Sequence, residues 1–291
     1  MKYKEIKKLK KEVKIQRMVK VSHELPNNML HMSKEINDYE YCLPHLLDEI
    51  QFYFGKENPP QVYRDHFFQA KKDGRYIIMD NSLHELGKAY AEDRLIYWVN
   101  ELKPDEFIVP DVWENQILTL SNATKWAKIE LPPEVIKVAV VQAKSFDEAV
   151  SCYSGLRDLG YEKIAFSYGA EYYNDLFPHP NKLVGKMMGR IMAIHKMWDM
   201  RVIKSYHRVH LLGCALPQEF AYYKDLMTIG TIESIDTSNP IIHGLKGIKY
   251  EHYGLKTKDT TKIDQLEEVE LTSDVLYNIN HNLIKFKQFL K

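Results

Sequence analysis

Along this chain, apolar runs repeatedly end in a polar or backbone-exposing residue. Asp80 closes YIIMD, Asp111 follows FIVP, and Gln142 closes VIKVAVVQ. Ser167, Tyr168 and Gly169 follow KIAF, Gly213 closes VHLLG, and Asp236 closes TIESID. If these runs are strands of one barrel, their carboxyl ends converge on one mouth. Two carboxylates flanking a glycosidic carbon can divide the work of retaining transfer. One attacks and forms a covalent glycosyl-enzyme, while the other carries the proton of the leaving and entering groups. A third carboxylate and a carboxamide can read donors and acceptors on a planar base, and backbone N–H groups at Ser167–Gly169 can bond a carbonyl oxygen. Such a set suits exchange of a nucleobase on ribose or deoxyribose. The plainer alternative is that each Asp caps the following helix. Caps need no shared face, so three of them together with Gln142 favour the site.

The elements that must position these residues alternate. Candidate strands are Met18–Ser22, Tyr76–Asp80, Phe107–Pro110, Val135–Gln142, Lys163–Ser167, Val209–Gly213 and Thr231–Asp236. Between them, Ser145–Leu159 puts Phe146, Ala149, Val150, Tyr153 and Leu156 on one helical face, with Ser145 as cap and Glu148 three residues on. Lys182–Met197 repeats the helical period, Gln218–Met227 follows a proline, and Ser273–Leu290 reads as a carboxy-terminal helix. Strand then helix, repeated without a G-x-G-x-x-G after the first strand, predicts an α/β (β/α)8 TIM barrel rather than a dinucleotide-binding fold. The expected organisation is a basic arm or helix over 1–17, a barrel over 18–255, and a helical segment over 256–291 packing on it. The eighth strand is expected at Gly247–Tyr250 (GIKY).

Composition narrows the class. The 291 residues are 45% hydrophobic and 27% charged, the balance of an ordinary globular domain able to bury a large core. Lys+Arg and Asp+Glu both number 40, which argues against coating nucleic acid by bulk charge. Residues 1–20 nevertheless carry nine Lys/Arg against Glu5 and Glu12, as either a solvated helix or a phosphate-contacting arm. No apolar run approaches the roughly 18–20 residues of a membrane span, and the basic amino terminus has no apolar signal core. Cys42, Cys152 and Cys214 each stand alone, so no disulfide framework or cysteine zinc site is expected, and a reducing cytoplasm suits the chain.

The ordered series of motifs resembles a known family, the queuine/archaeosine tRNA-guanine transglycosylases and their phage relatives that put 7-deazaguanines into DNA. Those proteins are (β/α)8 barrels. They carry Asp-Ser-Gly-Gly at the second strand, Asp after the third, V-Q-G at the fourth, I-G-G at the fifth, L-M-G at the sixth and a hydrophobic-Asp stretch at the seventh. This chain has Met79-Asp80-Asn81-Ser82, Val109-Pro110-Asp111, Val140-Val141-Gln142-Ala143, Ala165-Phe166-Ser167-Tyr168-Gly169, Leu211-Leu212-Gly213 and Ile235-Asp236-Thr237, in the same order from about residue 18 to residue 245. The opening Ser22-His23-Glu24-Leu25-Pro26, with Asp38-Tyr39-Glu40-Tyr41, is similar to the phage DNA-type members. The resemblance implies a pentosyltransferase in which Asp236 is the nucleophile and Asp80 the general acid/base. Asp111 and Gln142 would recognise the purine edge, Asn81 would sit beside sugar or base, and backbone near Ser167, Tyr168 and Gly169 would contact the base carbonyl. His84 and Leu212, with Gly213 beside it, occupy the places where the tRNA enzymes sandwich the base; the alternatives are a surface histidine and plain barrel core.

The chain departs from the family at Ser82-Leu83, where the family has Gly-Gly, and at Ala143-Lys144. It also has no cysteine after Cys214, where the tRNA enzymes carry a zinc site. That points to DNA as the polymer, with no metal and no cofactor. The expected partners are DNA presenting a flipped or single-stranded guanine and a base such as 7-cyano-7-deazaguanine, with no membrane and a homodimer as candidate assembly; a phage-encoded member would act in the host cytoplasm. Transfer to tRNA, and a non-catalytic nucleic-acid-binding partner subunit, are the competing readings; retention of both Asp80 and Asp236 argues against the latter. Lys182, Lys186 and Arg190 recur every four residues as a phosphate-meeting or solvated face. Donors such as Thr237 and Ser238 are expected to keep Asp236 ionised, and His207 and His210 are read as facing opposite sides of a strand, unsuited to a shared metal.

Overall fold

The computed structural model describes residues 19–49, 61–251 and 255–291, so the basic stretch 1–17 lies outside the described residues. Among these residues, eight strands form a single parallel sheet: β1 (Lys20–Ser22), β2 (Glu40–Cys42), β3 (Ile77–Met79), β4 (Glu106–Ile108), β5 (Ile136–Val141), β6 (Lys163–Ser167), β7 (Arg208–Leu212) and β8 (Ile232–Asp236). Their order around the sheet is β1-β8-β7-β6-β5-β4-β3-β2. With helices between successive strands, this is the (β/α)8 barrel architecture.

Side chains bridge the seam between β1 and β2. Asp38 donates its N–H to the Val21 carbonyl and takes the Val21 N–H on Oδ2, both at 2.9 Å. Asn37 takes the His23 N–H on Oδ1 at 2.7 Å and donates Nδ2 to the His23 carbonyl at 2.9 Å. Two side chains thus replace a strand ladder and satisfy backbone groups that burial would otherwise leave costly.

β2 was not anticipated, and the strand expected at Gly247–Tyr250 is absent. Those residues form a turn in which Gly247, at φ +71°, ends the helix Asn239–Leu245, with the Ile248 N–H donated to the His243 carbonyl at 2.8 Å. A glycine in the left-handed region is the usual helix stop, not a strand start. β2 is only three residues long, and its alternation is carried by Tyr39 and Tyr41 turning inward while Glu40 turns out to Ser33, His66 and Arg75.

The strands alternate inside and outside with period two. On the inner face, Lys163 lies below Ala165 and Ser167, Arg208 below His210 and Leu212, Ser234 below Asp236, and Glu106 below Ile108. The lower layer is an ion cluster. Lys163 Nζ donates to Glu106 at 2.9 and 2.6 Å and to Ser234 Oγ at 2.8 Å, and Tyr76 Oη donates to Glu106 at 2.6 Å. Outside, the helices read from periodicity are present: Phe146–Asp158, with Ser145 Oγ accepting the Glu148 N–H, and Lys182–Asp199. Pro217–Tyr223 is a 3-10 turn leading into a short helix, Lys224–Thr228. The carboxy-terminal helix Ser273–Phe289 packs on Asn239–Leu245, where a Cβ on Gly244 would fall 2.5 Å from Ile279. No described helix is long and apolar enough to cross a membrane.

Arg190 corrects the expectation of a basic face. It is fully buried, pairs with Glu219 at 2.5 Å, and donates to the carbonyls of Phe166, Leu212 and Gly213. Lys186 is held by the Gly169 carbonyl at 2.8 Å and by Glu171 at 2.6 Å, leaving Lys182 as the exposed member of the three. Arg190 therefore ties β6 to β7 and does not meet phosphates. Arg190→Met should cost about 3–5 kcal/mol in denaturant unfolding, because Glu219 is left buried without its cation. Lys182→Met should stay within about 0.5 kcal/mol of the parent.

Candidate active site

The carboxyl ends of the strands open into a cavity of about 200 Å³ lined by Asp80, Asn81, His84, Asp111, Gln142, Ser167, Tyr168, Leu212, Gly213 and Asp236. Of the residues expected from sequence to form the site, Gly169 does not line it; a Cβ there would fall 2.3 Å from the Trp113 ring, which does. Gly169 acts by letting Trp113 close in.

Asp111 is the most tightly held carboxyl. Asn81 Nδ2 donates to Oδ1 at 2.7 Å and Gln142 Nε2 to Oδ2 at 2.6 Å, while Gln142 Oε1 takes the Glu114 N–H at 2.9 Å. Asn81 also donates to the Val109 carbonyl and takes the Leu83 N–H. Its amide is therefore committed to the protein, which makes it a brace for Asp111. Burial pushes the Asp111 carboxyl above its ordinary range, opposed by these two amides. Each Asp111 oxygen keeps a lone pair for a further N–H donor.

Asp236 takes His210 Nε2 on Oδ1 at 2.9 Å and the Gly213 N–H on Oδ2 at 3.3 Å. Its donors are thus on β7 and the turn after it, not the expected Thr237 and Ser238. Thr237 Oγ1 instead takes the Asn239 N–H at 3.2 Å and meets Cys214 Sγ at 3.4 Å. Asp80 is tied through its N–H to the Cys42 carbonyl at 2.9 Å, and its Oδ2 takes the Ser82 N–H at 3.3 Å. Burial, with Glu85, Asp236 and Asp111 close by, raises its carboxyl well above the usual range. Glu24 is raised in the same way, by burial first and then by Glu85, Asp236 and Asp80.

The rim is aromatic. His84 meets Tyr168 edge-on at 6.0 Å, and Lys258 sits 3.8 Å over the Tyr168 ring while donating to the Cys214 carbonyl at 2.7 Å. Gly213 has φ +57°, and a Cβ there would fall 2.6 Å from the Tyr168 ring, so this turn needs glycine on both counts. Residues 258–263 complete the rim, with Lys262 Nζ on the Glu85 carbonyl at 2.8 Å.

No protein-family model and no curated protein sequence matches this chain. Among solved structures it is similar to the spore coat polysaccharide biosynthesis protein SpsE of Bacillus subtilis, at 11% identity and TM-score 0.44, over 94% of this chain and 70% of that one. It is also similar to pyruvate carboxylase of Rhizobium etli, at 8% identity and TM-score 0.45, over 98% and 28%. A U32 peptidase is similar at 13% identity and TM-score 0.35, over 90% and 91%.

Sequence reasoning missed Glu24, Glu85, Lys258 and His210. Glu24 lies two residues beyond β1, so the strand-end rule applied to the first strand finds it. His210 was weighed only as a metal ligand. His207 stands apart from it, bonded to Tyr153 Oη at 2.8 Å. Among the described residues no three His, Cys, Asp or Glu side chains are grouped to hold a metal, and His243 bonds the Asn239 carbonyl at 2.9 Å; His252 lies outside those residues.

The raised carboxyls set a pH dependence. Asp80 and Glu24 bind protons more tightly folded than unfolded, so the folded state holds more protons between the ordinary carboxyl range and the raised folded values. Stability contributed by the pair is present at the low-pH end of that window and is lost as pH rises through it. Asp80→Asn, which removes one buried carboxylate, should raise the melting temperature at pH 8 and lose that advantage toward pH 5. Thermal melts of both proteins across this range check it; an equal gap at both pH values would contradict it.

Proposed function

We propose that this protein is a base-exchange transglycosylase, a pentosyltransferase that replaces guanine in DNA with a 7-deazaguanine. The observation that carries the reading is that Asp80 and Asp236 line one cavity with a braced Asp111–Gln142 pair, at the end of a barrel where catalytic groups collect. The cavity is on the scale of one heterocyclic base, which suits a nucleotide turned out of the stack.

Asp236 Oδ2 attacks the anomeric carbon as the bond to guanine N9 breaks, leaving a glycosyl-Asp236 ester. The Asp80 carboxyl, raised well above its ordinary range by burial and its acidic neighbours, gives its proton to the departing N9. The incoming 7-deazaguanine returns a proton from N9 to Asp80 and attacks the same carbon, releasing Asp236 as carboxylate. Two inversions give net retention. Asp111 accepts N–H donors of the purine edge on its free lone pairs, and Gln142 fixes its angle. Tyr168, Trp113, His84 and Leu212 supply flat or apolar surface for the ring.

DNA is favoured over tRNA by the likeness of Ser22–Pro26 and Asp38–Tyr41 to the phage members and by the lack of cysteine beyond Cys214. Labelled guanine should enter DNA with little entering tRNA, and binding should weaken as salt rises. Label in tRNA and none in DNA would exchange the polymer while keeping the chemistry. Asp236→Asn should abolish exchange and any covalent protein–DNA adduct while DNA still binds. Asp80→Asn should slow exchange by ~10²–10⁴-fold. Full activity in both variants removes the assignment.

A further inference from the structure

The fully buried His210 touches Asp236 on one side and the ion cluster of the barrel floor on the other. Its Nε2 is 2.9 Å from Asp236 Oδ1, and its Nδ1 is 2.8 Å from Ser234 Oγ. Ser234 Oγ is in turn 2.8 Å from Lys163 Nζ. The ring is held flat by Tyr41, stacked at 6.3 Å with 15° between planes. An ammonium has only donors, so in its contact with Lys163 the Ser234 hydroxyl must accept. Its own hydrogen is then free to point at His210 Nδ1, the arrangement that leaves neither the hydroxyl hydrogen nor the ring nitrogen unpaired. A ring that accepts at Nδ1 carries its proton at Nε2 and donates it to Asp236.

We propose that Lys163 and Ser234 hold His210 as a neutral Nε2–H donor, making His210 the positioning residue for the Asp236 carboxylate. This rests on the reading of Asp236 as nucleophile only for its catalytic consequence; the protonation pattern stands on the geometry alone. The single bond to Oδ1 fixes the carboxylate plane, and Oδ2, opposite a backbone N–H at 3.3 Å, is the oxygen left to attack. A neutral donor orients the carboxylate without placing a full positive charge against it. An imidazolium would stabilise the ionised ground state and weaken the nucleophile. The charged and titratable groups around the ring are Tyr41 from β2, Glu106 from β4, Lys163 from β6, Arg208 on its own strand, and Asp236 from β8. Glu106 and Lys163 form a closed ion pair at 2.6 Å, so the nearest cation is already neutralised.

The test is nitrogen-15 NMR of the full chain with labelled histidine, together with exchange kinetics. At pH 7 the His210 ring should be neutral with its proton on Nε2. Ser234→Ala removes the donor to Nδ1 and leaves Lys163 its Glu106 partner, so the Nδ1 nitrogen signal should move toward that of an imine nitrogen without a hydrogen bond. A parent ring protonated on Nδ1, or on both nitrogens at pH 7, overturns the proposal, as does an unchanged Nδ1 signal in Ser234→Ala. In kinetics, His210→Leu should lower kcat by about 10- to 100-fold, the worth of one hydrogen bond to a charged group, with KM little changed. His210→Gln keeps an N–H donor toward Asp236 and should recover most of that loss. Equal losses in the Leu and Gln variants with unchanged folding would remove the positioning role. No exchange in the parent, with the NMR pattern as expected, would refute the enzymatic reading and leave the proton arrangement standing.

Discussion

Glu106 is a carboxylate buried on the floor of a barrel, and much of the interior follows from what it takes to hold it there. An unpaired charge at that depth would cost several kcal/mol. Lys163, Tyr76 and Arg208 all donate to it, from β6, the start of β3 and β7. A period of two then dictates what stands above them. Two residues up from Arg208 is His210, and two up from Ser234 is Asp236. The floor is thus linked to the mouth by side chains that the pleat already stacks.

The carboxyls of the mouth are unequally supplied with donors, and the difference sorts them. Asp111 has two amides and is fixed. Asp236 has an imidazole and a backbone N–H, and its two oxygens are no longer equivalent. Asp80 has one long backbone contact on its carboxyl, and burial with several acidic neighbours raises it well above the usual range. On the proposed function, Asp236 as attacking carboxylate beside Asp80 as proton donor is the division of labour that two-carboxylate glycosyl chemistry uses. In this barrel it arises from which strand end happens to face a donor.

The barrel and the strand-end residues were legible because both leave a short-range trace: apolar runs broken by one polar residue, separated by helical periods. β2 left almost none. Three residues flanked by Tyr39 and Leu43 cannot be told from a loop, and its pairing depends on the Glu40 N–H reaching the Tyr76 carbonyl and the Asp80 N–H reaching the Cys42 carbonyl, across more than thirty residues of chain. The Gly247 turn misled because GIKY has strand composition, while the left-handed glycine that ends a helix is a matter of backbone angle. Arg190 misled for a related reason. Spacing of four places Lys182, Lys186 and Arg190 on one helical face, yet a helix lying on a barrel buries one end of that face and exposes the other. The contact of His210 with Asp236 was invisible because its partners are set by register between strands, not by its own neighbours.

The segment 255–263 shows how the rim depends on the core beneath it. Gln218 Nε2 holds the Leu255 carbonyl at 2.6 Å, and Lys246 pins Asp259 at 2.7 Å. Between these anchors Lys258 reaches the Cys214 carbonyl and the Tyr168 ring, the same ring that Gly213 makes room for. On the proposed chemistry, a glycosyl-Asp236 ester survives only if water is kept from it until the second base arrives. A rim segment that lines the cavity and leans on Tyr168 reduces that access. Its cation also offsets the acidic wall formed by Glu24, Asp80 and Asp236.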